Sequence, residues 1–279
     1  MKKIIVTCLS IKDVLTYALE CKVYKCDEIQ VYLISKPLVK YLLKYLFRYK
    51  WLNYVDEKSL ILEVMNIKDF RSFVKFHNPS LLPRYNWYKQ QFLKYAQILR
   101  LKTDSIIIDG DTFPKSIEVL DTVIKYRGTI SYTPVHQPYE DCLIRLLGPS
   151  RYYNVASNYI TEAFFVEFGV LESMLDRIQT RTGVEWPRAI LTNVDSLIGF
   201  SEYQTYARFE EDWTCGKKAY KKFSTTRNFG QFYLPGRKSV ILATTDFVSF
   251  ESYHYPQIPG ARRFQLVKYL FFLLNKLNF

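Results

Sequence analysis

The segment Asp104-Ser105-Ile106-Ile107-Ile108-Asp109-Gly110-Asp111-Thr112-Phe113-Pro114 constrains this chain more than any other. Its apolar run, 105–108, is short, β-branched and uninterrupted, the pattern of a strand covered on both faces as in a parallel sheet. The run stops at two carboxylates separated by one glycine. In an extended backbone, residues two apart point the same way, so Asp109 and Asp111 would aim at one point. Gly110 would let the backbone come close to a bulky ligand. Hard cations such as Mg²⁺ are held by one or two carboxylates, with phosphate oxygens and waters completing the shell. Open α/β sheets bind their ligands at the carboxyl ends of parallel strands. Asp-Gly is also a hairpin-turn signal. The string alone admits two readings, a tight turn and a metal–phosphate clamp.

The chain around it alternates strand and helix. Residues 4–9 read as a buried strand, followed by a helix that starts at 10–13 and runs to about Cys26. A second strand is expected at 28–34, a basic, aromatic helix at 38–50, a third strand at 59–63 and a long helix at 85–100. This β-α-β-α-β order predicts an α/β fold with a Rossmann-like, mostly parallel central sheet flanked by helices. No Gly-rich dinucleotide loop or P-loop follows the first strand, which sets aside those two nucleotide-binding classes. Beyond Asp111 the pattern is less regular. Short strands, or a strand and a helix, are expected at 117–123 and 128–133, and a mixed strand at 157–166. Helices follow at 171–180 and 202–209, with a strand within 240–250. No repeat or low-complexity linker interrupts the chain, so one domain is expected over 1–260, with 1–115 as its nucleotide-binding half.

The net charge of +12 calls for an anionic partner. Nucleic acid, a nucleotide-activated substrate and an acidic bilayer all qualify. The basic residues are interleaved with Leu, Tyr and Phe, as in 40–51, rather than gathered in long Lys/Arg blocks. That interleaving fits an amphipathic helix at a bilayer surface better than a nucleic-acid groove. Residues 261–279 form a second basic amphipathic segment, suited to the membrane interface or to packing as a final helix. Five cysteines without a CxxC pair, and only three histidines, exclude a zinc constellation and fit reduced thiols. The first residues lack a signal-peptide pattern, and no stretch reaches the roughly 20 apolar residues of a membrane span. A cytoplasmic protein, peripheral on the inner face of the plasma membrane, is expected.

Trp87, Gln91 and Lys94 fall at i, i+4 and i+7 of the 85–100 helix and share one face. An indole, an amide and an ammonium together suit a ligand with a flat ring, hydroxyls and phosphate. They also suit an exposed polar stripe with Trp87 as its edge anchor. The ordered set 84–94, 106–111, Trp186-Pro-Arg-Ala-Ile-Leu191, Phe200-Ser201-Glu202-Tyr203-Gln204-Thr205-Tyr206 and Phe250-Glu251-Ser252-Tyr253-His254 resembles a family of bacterial glycosyltransferase-like proteins. These occur in capsule and lipopolysaccharide gene clusters and are similar to GT-A-type sugar-nucleotide transferases. The chain departs from that pattern at Ser157-Asn158-Tyr159, where a histidine pair is expected.

The resemblance implies a metal-dependent glycosyltransferase of GT-A type acting in bacterial surface polysaccharide assembly. A UDP- or GDP-sugar would be the donor and a saccharide, lipid-linked in the fullest form of the reading, the acceptor. Residues 116–260 would then be the acceptor half. Asp109 and Asp111 would hold Mn²⁺ or Mg²⁺ against the donor diphosphate, with His254 completing the site. The loop from Thr7 to Ser10 would border the nucleotide base. Arg84 and Lys94 would add donor contacts beside Trp87 and Gln91. An inverting transferase also needs a general base. Glu202, framed by Phe200, Tyr203 and Tyr206, is the first choice and Asp195 the second, with Tyr203 and Tyr206 stacking the acceptor sugar. The competing expectations are a nucleotidyl- or phosphotransferase using the same carboxylates, and a basic nucleic-acid-binding protein; the first reading excludes nucleic acid as a partner.

Overall fold

A computed structural model of the chain describes residues 2–10, 14, 17, 20–46, 52–126, 137–150, 158–217, 219–226 and 237–250. Expectations for residues 11–13, 15, 16, 18 and 19 of the 10–26 helix, for 47–51, for 128–133, for Ser157, for His254 and for 261–279 lie outside the described residues.

The main sheet has five strands: β1 (Lys3–Cys8), β2 (Ile29–Ser35), β3 (Leu52–Asp56), β4 (Ser105–Ile108) and β6 (Ala163–Val166). Their order is β3-β2-β1-β4-β6, parallel throughout except at β6, which runs antiparallel to β4. The expected mostly parallel α/β sheet is therefore present. Strand side chains alternate between two cores, as a period of two demands. Val6, Cys8, Ile34 and Ile107 enter one, while Ile5, Leu33, Ile106 and Ile108 enter the other.

The first core lies beneath a layer of seven described helices. These are α2 (Glu57–Met65), α3 (Phe70–His77), α4 (Tyr85–Leu101), α6 (Gln137–Leu147), α7 (Phe168–Thr182), α8 (Trp186–Thr192) and α9 (Glu202–Trp213). The second core is covered by α1 (Pro37–Leu46), α5 (Ile117–Tyr126), α10 (Arg237–Thr244) and a small sheet. That sheet is β5 (Thr112–Pro114), β8 (Phe247–Ser249) and β7 (Thr225–Thr226), in the order β5-β8-β7. The result is a three-layer α/β/α arrangement with both faces of the parallel strands buried. Among the described residues no helix is long and apolar enough to cross a membrane, and the five cysteines are free thiols.

Two expectations require correction. The strand expected at 59–63 is the first half of α2, and the third strand lies earlier, at Leu52–Asp56. The apolar pair Leu60-Ile61 is one helical face, and the helix start is set by Asp56, whose Oδ1 accepts the Ser59 N–H at 2.9 Å. Residues 117–123 are helical rather than extended. The strand expected within 240–250 is present as the short β8, which follows the end of α10.

Replacing Asp56 with Ala removes the cap that converts this apolar run from strand to helix. A loss of about 0.5–2 kcal/mol is expected in urea unfolding, with no change in the slope of the transition.

Candidate functional site

The carboxyl ends of β1, β2 and β3 open on the same side of the sheet, and the first half of α4 crosses above them. Between them lies a cleft of about 650 Å³. Leu9, Ile34, Val39 and Leu93 give it apolar walls, and Ser10, Asn86 and Gln90 supply neutral polar groups. Its charged lining is Lys36 together with the ion pair of Lys89 and Glu57, 2.9 Å apart and largely withdrawn from solvent. Cys8 forms part of the floor. Burial pushes its thiol up to about 12, and it donates weakly to the Gln90 carbonyl at 3.5 Å.

The carboxylate pair lies outside the cleft lining, but Gly110 between the two acids packs against Cys8 of this floor. Residues 109–111 form a tight turn from β4 into β5, closed by the Thr112 N–H donating to the Asp109 carbonyl at 3.0 Å. The extended geometry expected for Asp109 and Asp111 is thus replaced by a turn, because the chain must leave the main sheet and enter the small one within three residues. The turn is fastened at both ends. Asp109 N–H donates to the Glu162 carbonyl at 3.3 Å, and Phe250 N–H to the Asp111 carbonyl at 2.9 Å. Gly110 is required for a different reason from the one expected. A Cβ built there would lie 2.1 Å from the Cys8 carbonyl oxygen, so the close approach is to the chain's own β1 rather than to a ligand. Its φ is not left-handed.

Behind the turn lies a buried ionic cluster. Lys94, on the inner face of α4, has its side chain 4% exposed. Its Nζ donates to Asp109 Oδ1 at 2.5 Å, to Glu202 Oε1 at 2.7 Å and to the Tyr203 hydroxyl at 3.0 Å. The Tyr203 hydroxyl donates in turn to Asp109 Oδ1 at 2.9 Å. Ser201 caps α9 and places Glu202 and Tyr203 in its first turn. Gln91 Oε1 accepts the Glu202 N–H at 3.0 Å, and Tyr95 donates its hydroxyl to the Glu202 carbonyl at 2.5 Å. Burial by itself lowers the Lys94 ammonium pKa, but the charges of Asp109 and Glu202 outweigh it and hold it well above 10.5. Burial pushes the Glu202 carboxyl up against the opposing pull of Lys94, since a single ammonium is shared by two carboxylates.

The sequence-predicted residues therefore separate into groups. Lys94, Asp109, Glu202 and Tyr203 converge, with Gln91 beside them, and Ser10 lines the cleft. Gln91 and Lys94 are buried and face Glu202 of α9, so their shared face is not an exposed stripe. Glu202 turns its carboxylate inward to Lys94 and is 4% exposed, instead of facing an acceptor. Tyr203 and Tyr206 are buried and offer no stacking surface. The Tyr206 hydroxyl accepts the Glu167 N–H at 2.9 Å. Thr7 is buried within β1, its Oγ1 meeting no hydrogen-bond partner among the described residues. Trp87 and Arg84 stack on each other at 5.1 Å at the start of α4, outside the cleft lining. Asp195 follows α8 and pairs with Arg145 of α6 at 3.2 Å, apart from the Lys94 cluster. Asp111 Oδ1 accepts the Thr112 hydroxyl at 3.4 Å.

Sequence reasoning passed over Asn86, Lys89, Gln90 and Leu93. Their i, i+3, i+4, i+7 spacing marks a second face of α4, adjacent to the one that was read. Glu57 carried a weaker signal, as an acid at a helix start.

Among the described residues no three His, Cys, Asp or Glu side chains gather as an all-protein metal cage. Two turn carboxylates suit a hard cation that takes its remaining ligands from a bound phosphate and water. The Asp109 side chain is 44% exposed, and both of its interior contacts fall on Oδ1. By the chemistry of its donors, the pair fits Mg²⁺ or Mn²⁺ in that mode.

A protein-family model matches residues 44–268, which include the α4 face, the carboxylate turn and the Glu202 helix. The chain belongs to that family, a family of unknown function (DUF6492). No curated protein matches the sequence. Similar solved structures include mouse xyloside xylosyltransferase 1 in its apo form, 9% identical, with a TM-score of 0.47 over 90% of this chain and 98% of that one. The apo WbbM bifunctional glycosyltransferase is 8% identical, with a TM-score of 0.44 over 90% of this chain and 46% of that one. An active-site mutant of LgtC is 9% identical, with a TM-score of 0.38 over 94% of each chain. Likenesses this distant carry no argument about donor or acceptor; the DUF6492 chain must be read from its own site.

Two substitutions test that site. Gly110→Ala drives a methyl into the Cys8 carbonyl and is expected to cost about 1–3 kcal/mol in denaturant unfolding. Lys94→Met leaves Glu202 and Asp109 without their shared cation and is expected to cost about 3–5 kcal/mol. Because the folded pKa of Lys94 is raised, its contribution is complete below the unfolded value and is lost as pH rises through the folded one. The stability gap between wild type and Lys94→Met should therefore hold constant from about pH 8 to 10 and shrink above about 10.5.

Proposed function

We propose that this chain is a metal-dependent glycosyltransferase of GT-A type, moving a sugar from a UDP- or GDP-linked donor to a saccharide acceptor. The observation that carries this reading is the contact of Gly110, between Asp109 and Asp111, with the Cys8 carbonyl at the floor of a 650 Å³ cleft at the carboxyl ends of three parallel strands. That volume lies within the range of small-molecule and cofactor sites, and the position is where open α/β sheets bind nucleotides. Leu9, Val39 and Leu93 would cover a nucleobase from water, while Ser10, Asn86 and Gln90 would orient it through its polar edge. Asp109 and Asp111 would hold Mn²⁺ or Mg²⁺ beside the diphosphate. Such a cation, when bound, neutralises charge on the departing nucleoside diphosphate. Lys36 at the cleft adds an ammonium for the same anion.

The resemblance to proteins of capsule and lipopolysaccharide clusters extends the reading to surface polysaccharide assembly on a lipid-linked acceptor. Leu38 and Tyr41 of α1 are 56% and 68% exposed, next to Lys36 and Lys40. A basic, aromatic helix of this kind beside the cleft supports contact with an anionic membrane surface at the cytoplasmic face.

Thermal unfolding in the presence of UDP, GDP or CMP, with and without Mn²⁺, tests the proposal. One nucleotide should raise the Tm by about 5–10 °C at a hundredfold excess over its Kd, and only with Mn²⁺ present. Asp111→Ala should abolish the Mn²⁺-dependent part. Stabilisation by a metal-free oligonucleotide, with none by any nucleotide, would overturn the proposal in favour of a nucleic-acid-binding protein.

A further inference from the structure

We infer that Lys94 and Tyr203 are positioning residues for the carboxylate of Asp109, fixing its rotation so that Oδ2 faces outward for a divalent cation. The inference rests on the transferase reading of the carboxylate turn and assigns a task to two side chains buried behind it. The backbone of the turn is already fixed by its three hydrogen bonds and by the Cys8 carbonyl pressed on Gly110. The remaining freedom of Asp109 is rotation of its side chain. Two donors remove it, and both act on the same oxygen: Lys94 Nζ at 2.5 Å and the Tyr203 hydroxyl at 2.9 Å, each on Oδ1. A carboxylate held through one oxygen from the interior presents the other to the opposite side, and the Asp109 side chain is 44% exposed while that of Lys94 is 4% exposed.

The donors are themselves held in place. Lys94 is pinned by Glu202 at 2.7 Å, and the Tyr203 hydroxyl accepts from Lys94 while it donates to Asp109. Tyr203 packs its ring on Phe164 of β6, with centroids 6.2 Å apart. The orientation of Asp109 is thus set by α4 and α9 together, although neither helix contains a cation ligand. A charge-assisted hydrogen bond in a dry interior is the strongest orienting contact available to a carboxylate, and it gives direction as well as energy. Support of this kind ordinarily changes metal affinity by about tenfold or more when removed.

The test uses the full chain and two conservative variants, Tyr203→Phe and Tyr95→Phe. Each deletes one buried hydroxyl at the α4–α9 contact, but Tyr95 bonds the Glu202 carbonyl and does not touch Asp109. Mn²⁺ binding is read directly, from the loss of the free-ion electron paramagnetic resonance signal, with and without UDP, alongside the Tm of each variant. The expected result is a similar small fall in Tm for both, with the Mn²⁺ dissociation constant raised about tenfold in Tyr203→Phe and unchanged in Tyr95→Phe. An equal change in the two variants, no change in either, or tighter Mn²⁺ binding by Tyr203→Phe would overturn the positioning role alone. No Mn²⁺ binding by the wild type, with or without UDP, would overturn the transferase reading and this inference together.

Discussion

The ammonium of Lys94 is the interaction on which the rest of the site depends. A lysine carried inside a domain is costly unless its charge is met, and here it is met by one carboxylate from the β4–β5 turn and another from the first turn of α9. Asp109 and Glu202 are far apart in sequence and come from opposite ends of the fold's logic, one at the end of a parallel strand and one at a helix start. The cation between them binds both directly, and the Tyr203 hydroxyl ties α9 to the same Asp109 oxygen. The same contact fixes where α9 can lie, because Gln91, Lys94 and Tyr95 on successive turns of α4 bind the backbone and side chain of Glu202. A buried pair of this kind is weak support for net stability, but breaking it is costly, since a shift of α9 would strand a charge.

The second constraint is the contact between Gly110 and the end of β1. It presses the carboxylate turn onto the strand whose last residues floor the cleft. In the proposed transferase the cation-binding turn and the nucleotide cleft are adjacent because two neighbouring parallel strands end at the same level, and a side chain at 110 would push them apart. The glycine therefore joins two parts of one site. The Lys94 cluster lies behind this joint, in the interior, so the cleft and the ionic strut occupy different faces of α4.

Much of this was legible in the chain. The Ser105–Ile108 strand, the helix feeding it and the parallel character of the sheet follow from uninterrupted β-branched runs alternating with longer amphipathic segments. The third strand was not legible. Leu60-Ile61 has the same local composition whether it lies in a strand or on one face of a helix, and the Asp56–Ser59 cap is a three-residue signal that outweighs it. The roles of Glu202 and Tyr206 were hidden for a different reason. An acid in an aromatic frame reads equally as a base beside a sugar and as a buried partner for a cation, and sequence does not say which lysine will be nearby.

What the sequence determined by itself was residue chemistry and local period: a buried strand ending in two carboxylates with a glycine between them, and an α4 rich in amides and cations. What only the tertiary structure decided was direction. It turned Glu202 and Tyr203 inward to Lys94, gave the second face of α4 to the cleft and made the neighbour of Gly110 the carbonyl of Cys8. The physical reason is that a helix offers several faces and a turn several rotations of comparable local energy. The choice among them is made by long-range desolvation of charge and close packing, which act between residues about a hundred positions apart in the chain.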